Sequence, residues 1–460
     1  MSAKDAIFRI ASFLPEVPKP KQRPSLNERL IWTFLAVALY LLMAQVPLYG
    51  VVPSPTSLLF FYQIIFAANI GTLMTLGIGP IVTAGLIAQV LIGSDLIHLD
   101  LTNPEDQRFF AALTKVLTFI FILVESIFYV VSGAIGTITS PYAYIIIILQ
   151  LIVATTIVFL LDQMLQKGWG IGSGISLFIL AGISLQIILD LFSPIPVNRQ
   201  YFGFIPYAIN ESVHGHFFNV LYRPANYPNL IGLISTLIFA LLILYLEGVR
   251  IEVPISSARF KGFTATYPIK LLYVSNIPVI LVAALIADFE FFFSILARNP
   301  ALYNHITWLG TVQNGTFTGG LLYYISTPPP VPLAFHHPVQ VVTYSIFVIA
   351  LSVLFAKLWV DVSGMSAEKA AETIISSDLQ IPGFRTTRTS VSSLLNRYIP
   401  TVTLFSGLII GVIAAASTLL NVYGTGIGLL LVIDISISYY QMLAQEQLIS
   451  TVPGLGGLFE

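Results

Sequence analysis

Side chains able to break bonds or grip metals are sparse in this chain and poorly spaced. It has no cysteine, which removes disulfides, thiol nucleophiles and cysteine-held zinc or iron–sulfur centres together. The six histidines, His98, His214, His216, His305, His336 and His337, lack the helical spacing with carboxylates that a metal centre requires, so no metal and no cofactor is expected. Ser173 lies in the run Gly168-Trp169-Gly170-Ile171-Gly172-Ser173-Gly174. No strand precedes that run, the P-loop lysine is missing and the dinucleotide spacing fails. No histidine is placed as a base for the serine, and the chain is not read as an enzyme. What remains is the chemistry of apolar surface. Ile78 and Val82, and Ile171 and Ile175, recur at i,i+4, which would stack two branched side chains on one face of a helix. By spacing alone such pairs are ordinary helix packing.

Side chains paired in this way need helices to carry them, and the composition says where those helices lie. Of the 460 residues 56% are apolar and only 9% charged, with a mean hydropathy of +0.87, where a soluble domain carries about 25% charged. The chain is therefore an integral membrane protein. A net charge of -1 excludes a globally basic nucleic-acid binder and leaves only local basic patches. Apolar windows of about 20 residues, the length that crosses ~30 Å of hydrocarbon, fall at residues 30–50, 70–91, 109–131, 142–161, 172–191, 230–246, 267–285, 341–360, 398–420 and 426–443. The expected fold is all-α and polytopic, with ten transmembrane helices. A barrel is excluded, because period-2 alternation is absent and the runs are twice strand length.

Residues 1–29 carry Lys4, Arg9, Lys19, Lys21, Arg23 and Arg29 without an apolar run of signal-peptide length, so the first span is expected to be retained. With the N-terminus in the cytoplasm, all but Arg199, Arg223 and Arg298 of the 21 basic residues fall on that side, and this asymmetry fixes the orientation. The sequons at Asn210 and Asn314 then lie in external loops. The tail, 444–460, is cytoplasmic like the N-terminus.

Ten spans divide into an N-terminal half, 30–191, and a C-terminal half, 230–443, joined by an external hinge, 192–229. With five helices each, the two halves must be inverted relative to one another. Pro80 and Pro278 then interrupt the second and seventh helices at equivalent places, which points to a central pathway. Residues 56–69 are apolar but too short to cross, and so form either a re-entrant segment covered by protein or an amphipathic helix lying on the outer surface. Among the ionisable side chains that fall within the apolar windows, Glu125 and Asp434 are singled out. Glu125 is placed near the outer interface, and no partner is assigned to Asp434. Gly407, Gly411 and Ala415 in the ninth helix form a close-packing face.

The motifs Leu76-Gly77-Ile78-Gly79-Pro80-Ile81-Val82-Thr83-Ala84-Gly85 and Gly170-Ile171-Gly172-Ser173-Gly174-Ile175 resemble those of the SecY family, the large subunit of the Sec protein-conducting channel. Val274-Ser275-Asn276-Ile277-Pro278-Val279-Ile280 and Leu379-Gln380-Ile381-Pro382-Gly383-Phe384-Arg385 read like its archaeal and eukaryotic-type members. The resemblance runs from the first span to the last. It implies an hourglass pore in the plasma membrane, closed by an apolar ring and, over residues 56–69, a plug helix. Signal-bearing and nascent polypeptides would cross it, and apolar helices would leave sideways into lipid.

Carried over by motif, the ring is Ile78, Val82, Ile171, Ile175, Ile277 and Leu429, with Leu430 the alternative to Leu429. The lateral gate would carry Thr83, Gln89 and Asn276. The cytoplasmic loops 247–266 and 361–397 would meet the ribosome, through ribosomal RNA, with Arg259, Lys261, Arg385 and Arg388. The resemblance further implies a SecE-type small clamp subunit and a third single-span subunit. An ion-coupled secondary transporter with inverted repeats is the rival reading, and Asp434 is its best coupling group. No role is assigned to the external stretch 288–340.

Overall fold

Ser25 and Glu28 start the first membrane helix, Leu26–Met43, by satisfying each other's backbone: the serine hydroxyl accepts from Glu28 N–H (3.4 Å) and the Glu28 carboxylate from Ser25 N–H (2.9 Å). In this computed structural model, the described residues are 3–22, 24–52, 63, 66–93, 96–97, 99, 103–131, 135, 137–138, 140–197, 200–221, 223, 227–257, 264–274, 277–297, 303, 305–313, 316–376, 379–381 and 387–451. Eight of the helices within them are long and apolar enough to cross a bilayer. They are the first and then the third (Pro104–Val131), fourth (Pro141–Gln166), fifth (Gly174–Phe192), sixth (Leu230–Gly248), eighth (Pro338–Val362), ninth (Arg388–Leu419) and tenth (Gly426–Thr451). The second, Gly79–Gly93, and the seventh, Ile277–Leu296, complete the ten.

Pro80 and Pro278 are each the second residue of their helix. They begin helices rather than interrupt them, in the turn where a missing N–H leaves nothing unsatisfied. Expected at 267–285, the seventh span instead starts at Ile277. Residues Thr264–Lys270 form a strand antiparallel to Arg250–Ser257, with Tyr267 opposite Val253. The period gives the reason: Ile269 is buried while its neighbour Pro268 is exposed, an alternation that suits a strand.

A third strand, Leu379–Gln380, pairs with Ser256 and Ser257. The two long connections after the sixth and eighth helices are therefore one layered platform, and not separate loops. Its own core gathers Val253, Ile255, Ile269, Ala371, Ile374 and Leu395. The platform lies on the same face as the N-terminal segment, called here the near face. Away from the platform, the eighth and ninth helices pack tightly, as the small residues foretold. A Cβ on Gly407 would lie 2.8 Å from Val353 Cα, and one on Gly411 2.8 Å from Ile349 Cα.

Glu16 docks the N-terminal segment by accepting from Lys115 Nζ (2.9 Å) and Lys167 Nζ (2.5 Å). The two ammonium groups hold its carboxylate down to about 2. A carboxyl whose native pKa is depressed contributes above its ordinary value and loses that contribution as pH falls through the depressed one. Glu16→Gln is therefore expected to loosen docking near neutral pH, with the difference from the unsubstituted chain shrinking as acid titrates Glu16. Fluorescence of Trp169, whose Nε1 donates to Pro18 C=O (2.8 Å), reads the docking directly.

On the far face, the hinge contains Arg223, counted in the sequence as an external charge but only 1% exposed. Its guanidinium donates to the carbonyls of Tyr201 (2.6 Å), Phe202 (3.0 Å) and Pro228 (3.0 Å) and lies 3.7 Å from the centre of the Tyr207 ring. Arg223→Ala would strand three carbonyls and is expected to cost roughly 3 kcal/mol of local stability. Faster amide exchange across 201–228 would measure it. Arg223→Lys should recover only part, since an ammonium cannot reproduce the planar fork.

Candidate functional site

The second helix begins at Gly79, one residue after Ile78. Val82 N–H donates to Ile78 C=O (3.1 Å), so the two side chains stand one turn apart. Ile78 and Leu429 are buried members of the main core cluster, against which the partly buried Val82, Ile175 and Ile277 pack. Ile171 is 2% exposed. The expected helical stack of Ile171 on Ile175 does not occur, because the fifth helix starts at Gly174 and Gly172, at φ +71°, turns the chain between them. Leu429 and Leu430 are both buried in the same cluster.

Returning chain lies directly against this waist. Phe66 C=O accepts from Ile78 N–H (2.9 Å), and Ala67 C=O accepts from the Tyr40 hydroxyl. Gly77, at φ +57°, could bear no side chain, since its Cβ would sit 2.2 Å from Phe66 O. Irregular backbone at membrane depth is thus covered by protein, as it must be. Of the expected re-entrant segment only 63 and 66–69 are described, and the rest of 56–69 lies outside the described residues.

The two halves meet along two unlike seams. The fifth and tenth helices are tied at both ends. Tyr439 OH donates to Ser173 C=O (2.8 Å) near one end, and Asp190 Oδ2 accepts from Gly424 N–H (3.1 Å) at the other. Arg29 and Glu446 add an ion pair (2.6 Å) between the first and tenth helices. Along the opposite seam, Thr83 Oγ1 on the second helix donates to the Asp288 carboxyl on the seventh (3.1 Å). Rings close the third helix on the seventh, Tyr129 on Phe291 (4.4 Å) and Phe128 on Phe292 (6.2 Å). Gln89 lines a narrow cleft with Leu86, Leu281, Phe355, Leu358 and Trp359. Its Oε1 is buried there without a hydrogen-bond partner among the described residues. Asn276 lies outside them.

Buried ionisable groups are more numerous in the helices than Glu125 and Asp434. Lys115, Asp162, Asp190, Asp288 and Glu290 join them. Asp288 and Glu290 lie outside the expected span 267–285 but inside the observed seventh helix, Ile277–Leu296. Glu125 is 1% exposed and does not reach the interface. Asp434 hydrogen-bonds Glu247 at the end of the sixth helix, whose carboxyl lies 3.8 Å from Lys270 Nζ. Among the described residues, no three His, Asp or Glu side chains come together as metal ligands.

On the near-face platform Arg388 pairs with Glu372 (3.2 Å), while Arg259, Lys261 and Arg385 lie outside the described residues. The stretch 288–340 carries a hairpin, Thr311–Gln313 with Thr316–Gly319, and a short helix, Leu321–Ile325.

A family model described as SecY matches residues 72–440, and one described as the plug domain of Sec61p matches residues 39–71. The protein translocase subunit SecY of Saccharolobus solfataricus is 40% identical over 476 residues, covering 98% of both chains. A solved protein-conducting channel superposes with a TM-score of 0.83 at 34% identity, covering 97% of this chain and 98% of that one. Sec61 in the canine ribosome–channel complex from the endoplasmic reticulum gives 0.81 at 33% with the same coverage.

Proposed function

The chain belongs to the SecY family, and from that premise we propose how its apolar waist and its two seams work. It is a multi-pass membrane protein and the channel subunit through which polypeptides cross. Ile78, Val82, Ile171, Ile175, Ile277 and Leu429 form the ring that seals when vacant and spreads around a chain. Ile280, one turn beyond Ile277 and packed on the same cluster, competes with it for the seventh-helix position. Residues 56–69 are the plug. The weakly tied seam, with Thr83, Gln89 and Asn276, is the lateral gate where signal peptides bind and apolar helices reach lipid. The junction of Phe66 with Ile78 carries this reading, because it sets covered, non-spanning backbone against the narrowest residues.

The near face is cytoplasmic and the membrane is the plasma membrane, both termini lying inside. The platform offers Arg259, Lys261, Arg385 and Arg388 to ribosomal RNA, as phosphate recognition by cations requires. Exposed apolar faces such as Phe34 and Leu42 on the first helix and Leu237 and Leu241 on the sixth receive lipid, a SecE-type clamp and a third single-span subunit. A coupled transporter has no support, since the family model and the relatives all belong to the SecY protein-conducting channel.

Photoreactive residues at positions 78, 82 and 175 of the reconstituted channel should crosslink a stalled secretory nascent chain. The same residue at lipid-facing Ile145 should not. Equal yields at 78 and 145, or solute-coupled ion uptake without crosslinks, would overturn the channel assignment of these residues.

A further inference from the structure

The turn that carries Ile171 and leads to Ile175 is gripped from several sides. From the first helix, Arg29 Nε donates to Gly170 C=O (3.0 Å) and Thr33 Oγ1 accepts from Ile171 N–H (3.0 Å). From the fourth, Asp162 Oδ1 accepts from Ile175 N–H (3.0 Å) and the Ser173 hydroxyl (3.3 Å), while Gln166 Nε2 holds Oδ2 (2.8 Å). From the tenth comes the Tyr439 bond to Ser173 C=O.

Glycines let these groups come so near. A Cβ on Gly174 would lie 2.6 Å from Asp162 Cα, and one on Gly172 2.5 Å from Tyr439 OH. Ser173, at the cap position of the fifth helix, makes no side-chain cap bond. Asp162, 4% exposed, reaches across from the neighbouring helix to satisfy one of the N–H groups that a helix start leaves without a partner. A carboxyl buried this deeply survives only if its oxygens are bonded, and here the bonds go to the backbone that presents the waist.

We propose that Asp162 and Tyr439 are positioning residues of the waist, fixing the turn 170–175 so that Ile171 and Ile175 form a stationary wall against which the second and seventh helices move. The inference rests on the channel reading above. Asp162 touches no passing chain and acts through the backbone it holds, and Tyr439 ties that same backbone to the tenth helix.

The test uses the reconstituted channel with a stalled nascent chain, carrying a photoreactive residue at position 78 or at position 175. Its readouts are the ratio of crosslink yields, 175 over 78, and the resting ion conductance. Asp162→Ala should lower the ratio at least about threefold and raise the conductance, and Tyr439→Phe should lower the ratio about twofold. Asp162→Asn keeps an acceptor oxygen for Ile175 and Ser173 and should restore the ratio. A merely structural role would reduce both yields together and leave their ratio unchanged, which overturns the proposal. Should Asp162→Ala fail to assemble, Tyr439→Phe decides by the same ratio. Absence of crosslinks at both positions in the unsubstituted channel would instead overturn the waist itself, and this inference with it.

Discussion

Ile78→Asn is expected to raise the resting ion conductance of the reconstituted channel by roughly one to two orders of magnitude. Ile78 is fully buried in the cluster that joins both halves, so an amide placed there must either stay dry and unpaired or draw water in. Leaving it dry costs roughly 1–3 kcal/mol, and each 1.4 kcal/mol is about tenfold in the population of the hydrated state. A hydrated waist conducts, since the barrier to ions is the absence of water and not a fixed charge. The backbone bond from Ile78 to Phe66 survives the change, so the returning chain keeps its place and the leak reports the side chain. Ile78→Leu keeps the waist apolar and should stay close to the unsubstituted conductance. Planar-bilayer recording decides, and an Ile78→Asn channel as tight as its parent would remove Ile78 from the constriction.

Composition and window length made the membrane helices legible, because twenty apolar residues have few other uses. The seventh was misplaced because Tyr267 and Ile269 are apolar enough for a span, and only the pairing of Tyr267 with Val253 reveals a strand. That error also hid Asp288 and its bond to Thr83. The glycines of 170–174 were legible as positions needing close approach, but the groups that approach were not. Asp162 is a single acid at the end of an apolar run, and Tyr439 stands 266 residues from the serine it holds. Pairings over such distances are made by the fold. Asp434 shows the same from the other side: its partner, Glu247 at the end of the sixth helix, lies 187 residues away and is not visible in the sequence.

Thr83→Cys with Asp288→Cys, joined by a short cleavable thiol reagent, is expected to cut lateral insertion of apolar helices by at least about tenfold, with recovery on reduction. The chain has no cysteine of its own, so the reagent has no other target in this subunit. The two side chains already meet at 3.1 Å, and a short link fits without forcing the helices apart. The effect follows from the inequality of the seams. Where the fifth helix meets the tenth, bonds at both ends, Ser173 to Tyr439 and Asp190 to Gly424, resist parting. Where the second and third helices meet the seventh, the described contacts include a hydroxyl–carboxyl bond, tilted and edge-on ring pairs and a cleft holding a buried amide oxygen without a partner among the described residues, and these lose less on separation. If the exit to lipid proposed above opens at the second seam, a covalent tie there removes the open state. The same reagent joining Arg29→Cys to Glu446→Cys, across the ion pair of 2.6 Å on the opposite side, should leave most insertion intact. Normal insertion through the first locked pair, or its loss through the second, would place the exit elsewhere.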